Sequence, residues 1–171
     1  MSEMTDNNLQ EKVPVEKFIV SQAIKIALRD IPDGLTKDNI IISEEFRFDG
    51  SRNSRLQKLL DVKSKEKAFH PQAAQIMLPG PKTLVAFLRI PQGVSFKEDE
   101  ASIAKGAGIV LCIYNISGKI LKCFPEWKYF DNCGFSEFKD IITDKNSYAF
   151  IVSDGSAMVT LEPWEFAWIK I

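Results

Sequence analysis

Three kinds of side chain in this chain could do chemistry. The first is an imidazole: His70 is the lone histidine of the 171 residues, and histidine is the commonest general base near neutral pH. It stands in Lys67-Ala68-Phe69-His70-Pro71 with no partner nucleophile evident, so a structural hydrogen bond at a junction is expected of it. The second is a set of carboxylates, Asp131, Asp140, Asp144 and Asp154. Cleaving a glycosidic bond takes two carboxylates at a fixed separation, but these four stand at turn signals, where aspartate bonds its own backbone. No catalytic residue is assigned. The third is aromatic: Trp127-Lys128-Tyr129-Phe130, Trp164 and Trp168 could stack against sugar rings. In a β domain such rings more often fill the core or a domain interface, each burying about 150–250 Å². Trp127 and Tyr129 are the candidate exceptions, and they are the sugar-binding residues expected here.

Metal and redox chemistry find little support. Cys112, Cys123 and Cys133 include no C-x-x-C pair, and with one histidine a zinc site is not expected. No cofactor is expected either. Cys112 reads as a buried small hydrophobe, and nothing around Cys133 activates a thiolate. Ser153-Asp154-Gly155-Ser156 has no helix after it, so it reads as a hairpin turn and not a phosphate loop. An odd cysteine count, and a first stretch (Met1 to Leu9) without the basic-then-apolar order of a secretion signal, point to reduced thiols in the cytoplasm. No apolar run approaches the roughly 20 residues of a membrane helix. The net charge is -1, with 12 basic and 12 acidic residues in 1–70 and 10 and 11 afterwards. That balance excludes non-specific binding to nucleic acid or an anionic membrane.

The elements that must position these residues change character at Pro71, which pushes His70 out of helical backbone space. Residues 1–12 are polar and expected to be flexible. Residues 13–70 form a helical segment. A helix starts near Val13-Pro14, and Val15, Phe18, Ile19, Gln22, Ala23, Ile26 and Ala27 define one apolar face. Val20, Ile24 and Leu28 add a second, so the helix expects burial between neighbours. Asp30-Ile-Pro-Asp-Gly34 breaks it. Asn39 to Ser43 is a short strand or apolar loop, and Asp49-Gly50 a turn. Ser51 or Asn53 caps a second helix carrying Leu56, Leu59, Leu60 and Val62 on a narrower face.

Residues 71–171 read as strands. Gln75–Leu78 and Thr83–Ile90 flank the turn Pro79-Gly80-Pro81-Lys82, and 92–105 is an exposed loop. Gly108 to Ile116 is the most apolar stretch and the candidate central strand. Lys119–Phe124 follows the turn Asn115 to Gly118, and Asp140 to Asp144 precedes another turn. Tyr148–Val152 and Ala157–Leu161 form an Asp-Gly hairpin, and Glu165–Ile171 is a last strand after Pro163. The fold class is α+β: an N-terminal pair of helices followed by an antiparallel β-sandwich or meander.

Four passages carry a resemblance. Lys67-Ala-Phe-His-Pro-Gln-Ala-Ala-Gln75, followed by Leu84-Val-Ala-Phe-Leu-Arg-Ile90, resembles the entry into the C-terminal β domain of sucrose phosphorylase-type enzymes of the α-amylase superfamily (glycoside hydrolase family 13). Glu16-Lys-Phe-Ile-Val-Ser-Gln-Ala-Ile24 is similar to the barrel helix after their seventh strand. Leu56 to Pro71 looks like the last barrel helix and its exit, and Thr160 to Ile171, with Pro163-Trp164, like the closing strand. The matches run in order over residues 15–171, with gaps.

The resemblance implies a parent enzyme built on a (β/α)₈ barrel that transfers glucosyl groups with retention, one carboxylate serving as nucleophile and another as acid/base. In the family these carboxylates, and a third after the seventh strand, lie upstream of the first residue that aligns here. A barrel takes about 250 residues, more than the chain has. Where the family has a Gly-x-Pro-Gly-x-Tyr-type eighth strand, this chain has Arg29-Asp-Ile-Pro-Asp-Gly-Leu35. Two unpaired aspartates in a strand buried on both faces would cost several kcal/mol, so that strand is expected to be lost or looped. The chain reads as a non-catalytic C-terminal remnant or accessory domain with a packing role. It would act through the helix Val15–Leu28, which is expected to expose an apolar patch for a barrel-containing protein or a second copy. The alternatives are a subunit completing a split sugar phosphorylase in trans, and a small carbohydrate-binding module using Trp127 and Tyr129.

Overall fold

The computed structural model describes residues 15–30, 50–96, 106–130, 138–153 and 156–171, with the backbone alone at 50–53. The expectations for 1–14, for the strand at 39–43, for most of the segment replacing the eighth strand, and for Asp131, Cys133 and Asp154 lie outside the described residues.

The architecture is helices, then antiparallel sheets. Helix α1 spans Val15–Ala27 and α2 spans Gly50–Lys65. A 3₁₀ turn, Lys67–Phe69, ends the helical segment. The strands are β1 Ala74–Met77, β2 Leu84–Ile90, β3 Val110–Asn115, β4 Leu121–Cys123, β5 Phe138–Asp140, β6 Lys145–Ser147, β7 Phe150–Ser153, β8 Ser156–Leu161 and β9 Phe166–Lys170. Among the described residues one sheet has six strands in the order β1-β2-β3-β9-β5-β6, and the other has three, β4-β8-β7. Every recorded pairing is antiparallel. The arrangement is a sandwich and not a meander, because the last strand inserts between β3 and β5.

Strand β3 lies inside the sheet, as its composition demands. Alternate residues of β2, β3 and β9 serve two different cores. Leu84, Ala86, Leu88, Leu111, Ile113, Ala167 and Ile169 face the core shared with the small sheet. Val85, Phe87, Val110, Cys112, Tyr114, Phe166 and Trp168 face the helices. Three layers therefore stack as helices, large sheet and small sheet. Strands covered on both faces read as continuous apolar runs, and all residues of β2 and β3 are buried.

Helix α1 meets both burial demands of its sequence within the chain. Val20, Ala23, Ile24, Ala27 and Leu28 join the helix-side core, with Ile19 and Ile26 half-buried against it. The exposed apolar patch expected on this helix is not found among the described residues, since no large apolar side chain of α1 is exposed. Helix α2 and the large sheet cover those faces.

Other expectations also need correction. Gly50 is helical and not part of a turn, and Ser51 and Asn53 lie inside α2 instead of capping it. The apolar periodicity begins at Leu56, and a polar first turn carries no such signal. Leu60 is exposed, leaving Leu56 and Leu59 as the buried ridge of α2. The loop after β2 is not wholly exposed, because Val94 and Phe96 pack on the sandwich core.

Candidate functional site

The aromatic residues divide by burial. Trp127 is 3% exposed, and its indole N–H donates to the Pro79 carbonyl at 2.6 Å. It packs with Phe130 and Phe150 at ring-centroid distances of 5.8 and 5.9 Å. A ring with neither face in solvent cannot stack on a sugar, so Trp127 is a core residue and the sugar-binding expectation for it is corrected. Tyr129 is half-buried, its ring 5.2 Å from that of Phe96, and the two expected partners do not form a platform. Trp168 is fully buried and donates its indole N–H to the Tyr114 hydroxyl at 2.6 Å. Trp164 is half-buried in the turn before β9, with Lys17 Nζ 5.6 Å from its ring centre.

His70 has a structural role. Its Nδ1 accepts from the Gln72 N–H at 3.3 Å, and its carbonyl accepts from the Ala73 N–H at 2.9 Å. That carbonyl also accepts from Arg89, whose place inside an apolar strand gives no hint of a function. Arg89 is 1% exposed. Its Nε donates to the Ala68 carbonyl at 3.1 Å and its Nη2 to the His70 carbonyl at 3.2 Å, while Nη1 has no acceptor. Arg89 thus fastens the helix-to-sheet junction to β2. Burial pulls its pKa down, and burial followed by the Arg89 charge lowers that of Lys63.

Of the four aspartates, the two among the described residues, Asp140 and Asp144, are turn-formers. Asp140 is buried and accepts from the N–H groups of Ile142 at 3.0 Å and Trp168 at 3.3 Å, and from the Thr143 hydroxyl at 2.9 Å. Asp144 is exposed, with φ 61, and is paired with Lys139. The hydrogen bond from Lys139, and then its charge, hold the Asp144 carboxyl below its usual range. Both carboxylates are spent on the β5–β6 turn. Cys112 is fully buried, and burial raises its thiol pKa far out of the reactive range. No cluster of three metal-ligating side chains occurs among the described residues. No described helix is long and apolar enough to cross a membrane.

Tyr148 carries no functional signal in the sequence. Strand β7 begins at Phe150, so Tyr148, assigned to that strand by its type, falls in the β6–β7 connection and is 81% exposed. It borders a cleft of about 690 Å³ between α2, the β5–β6 turn and the start of β9, whose walls include Arg55, Asn146, Thr160 and Glu165. No period or motif marks such a place, because residues from four separate stretches form it.

No protein-family model matches this chain, and no curated protein matches it. Its fold does match solved structures. A noncanonic maltogenic α-amylase, AmyB from Thermotoga neapolitana, aligns over 91% of this chain and 36% of its own, with TM-score 0.59 and 11% identity. AmyP, solved in complex with maltose, aligns over 91% of this chain and 34% of its own, with TM-score 0.57 and 9% identity. The fold is that of the C-terminal part of an α-amylase-family enzyme. The chain spans about a third of the length of the structures it matches. At such identities the likeness concerns the fold alone.

Proposed function

We propose that this chain is the non-catalytic C-terminal portion of a sucrose phosphorylase-type glucosyl-transferring enzyme, acting in the cytoplasm by packing against a barrel. One observation carries the reading: two helices and a sandwich align over 91% of the chain with about a third of larger α-amylase-family enzymes. The four ordered sequence passages support the finer, phosphorylase-type assignment. The helix layer is the docking side, since α1 and α2 correspond in the resemblance to helices of the barrel wall. Leu60 of α2 is the large apolar side chain that this layer leaves exposed among the described residues, since Ile19 and Ile26 of α1 pack against the helix-side core.

The test has two parts. The purified chain is assayed for phosphate-dependent sucrose cleavage, and no turnover is expected. It is then mixed with a sucrose phosphorylase barrel lacking its own β domain. Complex formation in light scattering and a raised Tm of the barrel are expected. Turnover by the chain alone would falsify the non-catalytic reading, and a chain that ignores the barrel and stays monomeric removes the packing role.

A further inference from the structure

We propose that the outer face of the small sheet, centred on Phe124, is where two copies of this chain meet as a weak two-fold dimer. Phe124 is 66% exposed and Ile120 65%. They flank β4 in step with exposed Lys122, on the side turned away from the core that Leu121 joins. The neighbouring strands continue the apolar row. Met158 of β8 lies opposite Ile151 of β7, both are half-buried, and neither belongs to a core. The pairing of Cys123 with Val159, carried one residue further, sets Phe124 beside Met158. The large sheet is covered on both faces, whereas this side of the small sheet has no layer over it among the described residues.

A two-fold contact uses the same patch on both partners, so the patch must complement itself. Here it does so in charge. Lys122 and Glu126 stand on either side of Phe124, both exposed, and neither has an ion-pair partner among the described residues. A two-fold axis at Phe124 brings Lys122 of each copy towards Glu126 of the other. The patch also complements itself in shape. Beside the protruding ring lies a cleft of about 420 Å³, walled by Pro125, Glu126, Lys128 and Ser156. A dry cavity of about 150 Å³ already accepts a benzene ring, so the cleft has room for the ring of a second copy. The edge of β4 is not the contact, because it is three residues long and Pro125 beyond it has no N–H for a partner strand. Three short strands offer far less than the roughly 2,000 Å² or more of a permanent interface, so the dimer forms reversibly. Helices, large sheet and small sheet stack in that order, which puts this face opposite the helix layer and leaves that layer free for a barrel.

The experiment is sedimentation equilibrium of the full chain up to about 1 mM. A monomer–dimer equilibrium is expected, and Phe124→Asp should weaken it about tenfold or more. Lys122→Glu and Glu126→Lys should each weaken it, and the double variant should restore it, because the swapped charges meet again across the axis. Thermal melting checks that these surface variants fold. A chain that stays monomeric throughout overturns the proposal, as does a dimer indifferent to Phe124→Asp, which would lie on another surface. A double variant no better than the single ones overturns the pairing across the axis. Dissociation of the dimer by the barrel would mean that both compete for one face, and overturns it too. Phe124→Asp leaves the helix layer intact, so its binding to the barrel tests the packing role separately.

Discussion

Arg89 places a guanidinium on the helix side of β2, where the strand's alternation asks for an apolar side chain like Val85 and Phe87. Two of its nitrogens are satisfied by backbone carbonyls and the third is not. Replacing a buried charge by an apolar group of similar length often costs little, whereas removing the whole side chain leaves a cavity. Arg89→Met should therefore be more stable than Arg89→Ala by about 2 kcal/mol or more. Equal urea midpoints would show that the stem is not packed. A second residue-level expectation concerns alkaline pH. Burial raises the Cys112 thiol and the Tyr114 phenol well above their ordinary ranges. The folded state keeps both protons while the unfolded chain loses them above about pH 8.5 and pH 10 respectively. Their contribution is therefore fully present below about pH 8.5 and declines as pH rises. The slope approaches about 1.4 kcal/mol per pH unit for each group that is ionised in the unfolded chain alone. Cys112→Ala should flatten the Tm-against-pH curve between about pH 9 and pH 10. An unchanged slope would place the titration elsewhere.

At the scale of elements, the β5–β6 turn separates two aspartates that look alike in the sequence. Asp140 is buried with three donors, while Asp144 is exposed with one lysine. Asp140→Ala should cost about 2–3 kcal/mol, because it orphans buried N–H groups. Asp144→Asn should leave the denaturation midpoint close to that of the unmodified chain, in line with a solvent-screened surface ion pair. Matching losses in denaturant titrations would contradict the division. Helix α1 offers a comparable contrast. Ile24 is 1% exposed and joins the core shared with α2 and the sheet, so Ile24→Ala should cost about 2–5 kcal/mol. It should also raise amide exchange in β3, since the Tyr114 hydroxyl reaches the α1 carbonyl of Ala23 at 3.4 Å. Unaltered exchange in β3 would mean that the helix layer opens on its own.

For the whole molecule, much of the fold is legible in the order of the residues. The central strand, the pairing of β7 with β8 and the stop at His70-Pro71 each follow from local rules of period, hairpin spacing and proline sterics. The two apolar faces of α1 require that it be covered twice. Its sequence does not say by what, and in the fold α2 and the large sheet of the same chain provide the cover. The aromatic candidates show the same limit. Trp127 and Tyr148 are both large rings near turns, and their types do not say which one the second sheet will cover. Burial depends on which distant strands pair, and the insertion of β9 between β3 and β5 is a non-local event that no window of residues contains. Amino-acid order by itself determined the two helices and most strands, because these show in local period and turn signals, whereas β5 and β6 fall where the order gives only the motif Asp140 to Asp144 before a turn. Tertiary structure alone decided that Arg89 is buried, that Asp140 holds a turn, and that Tyr148 is left at the mouth of a cleft. Each of those depends on surfaces brought together from far apart in the chain.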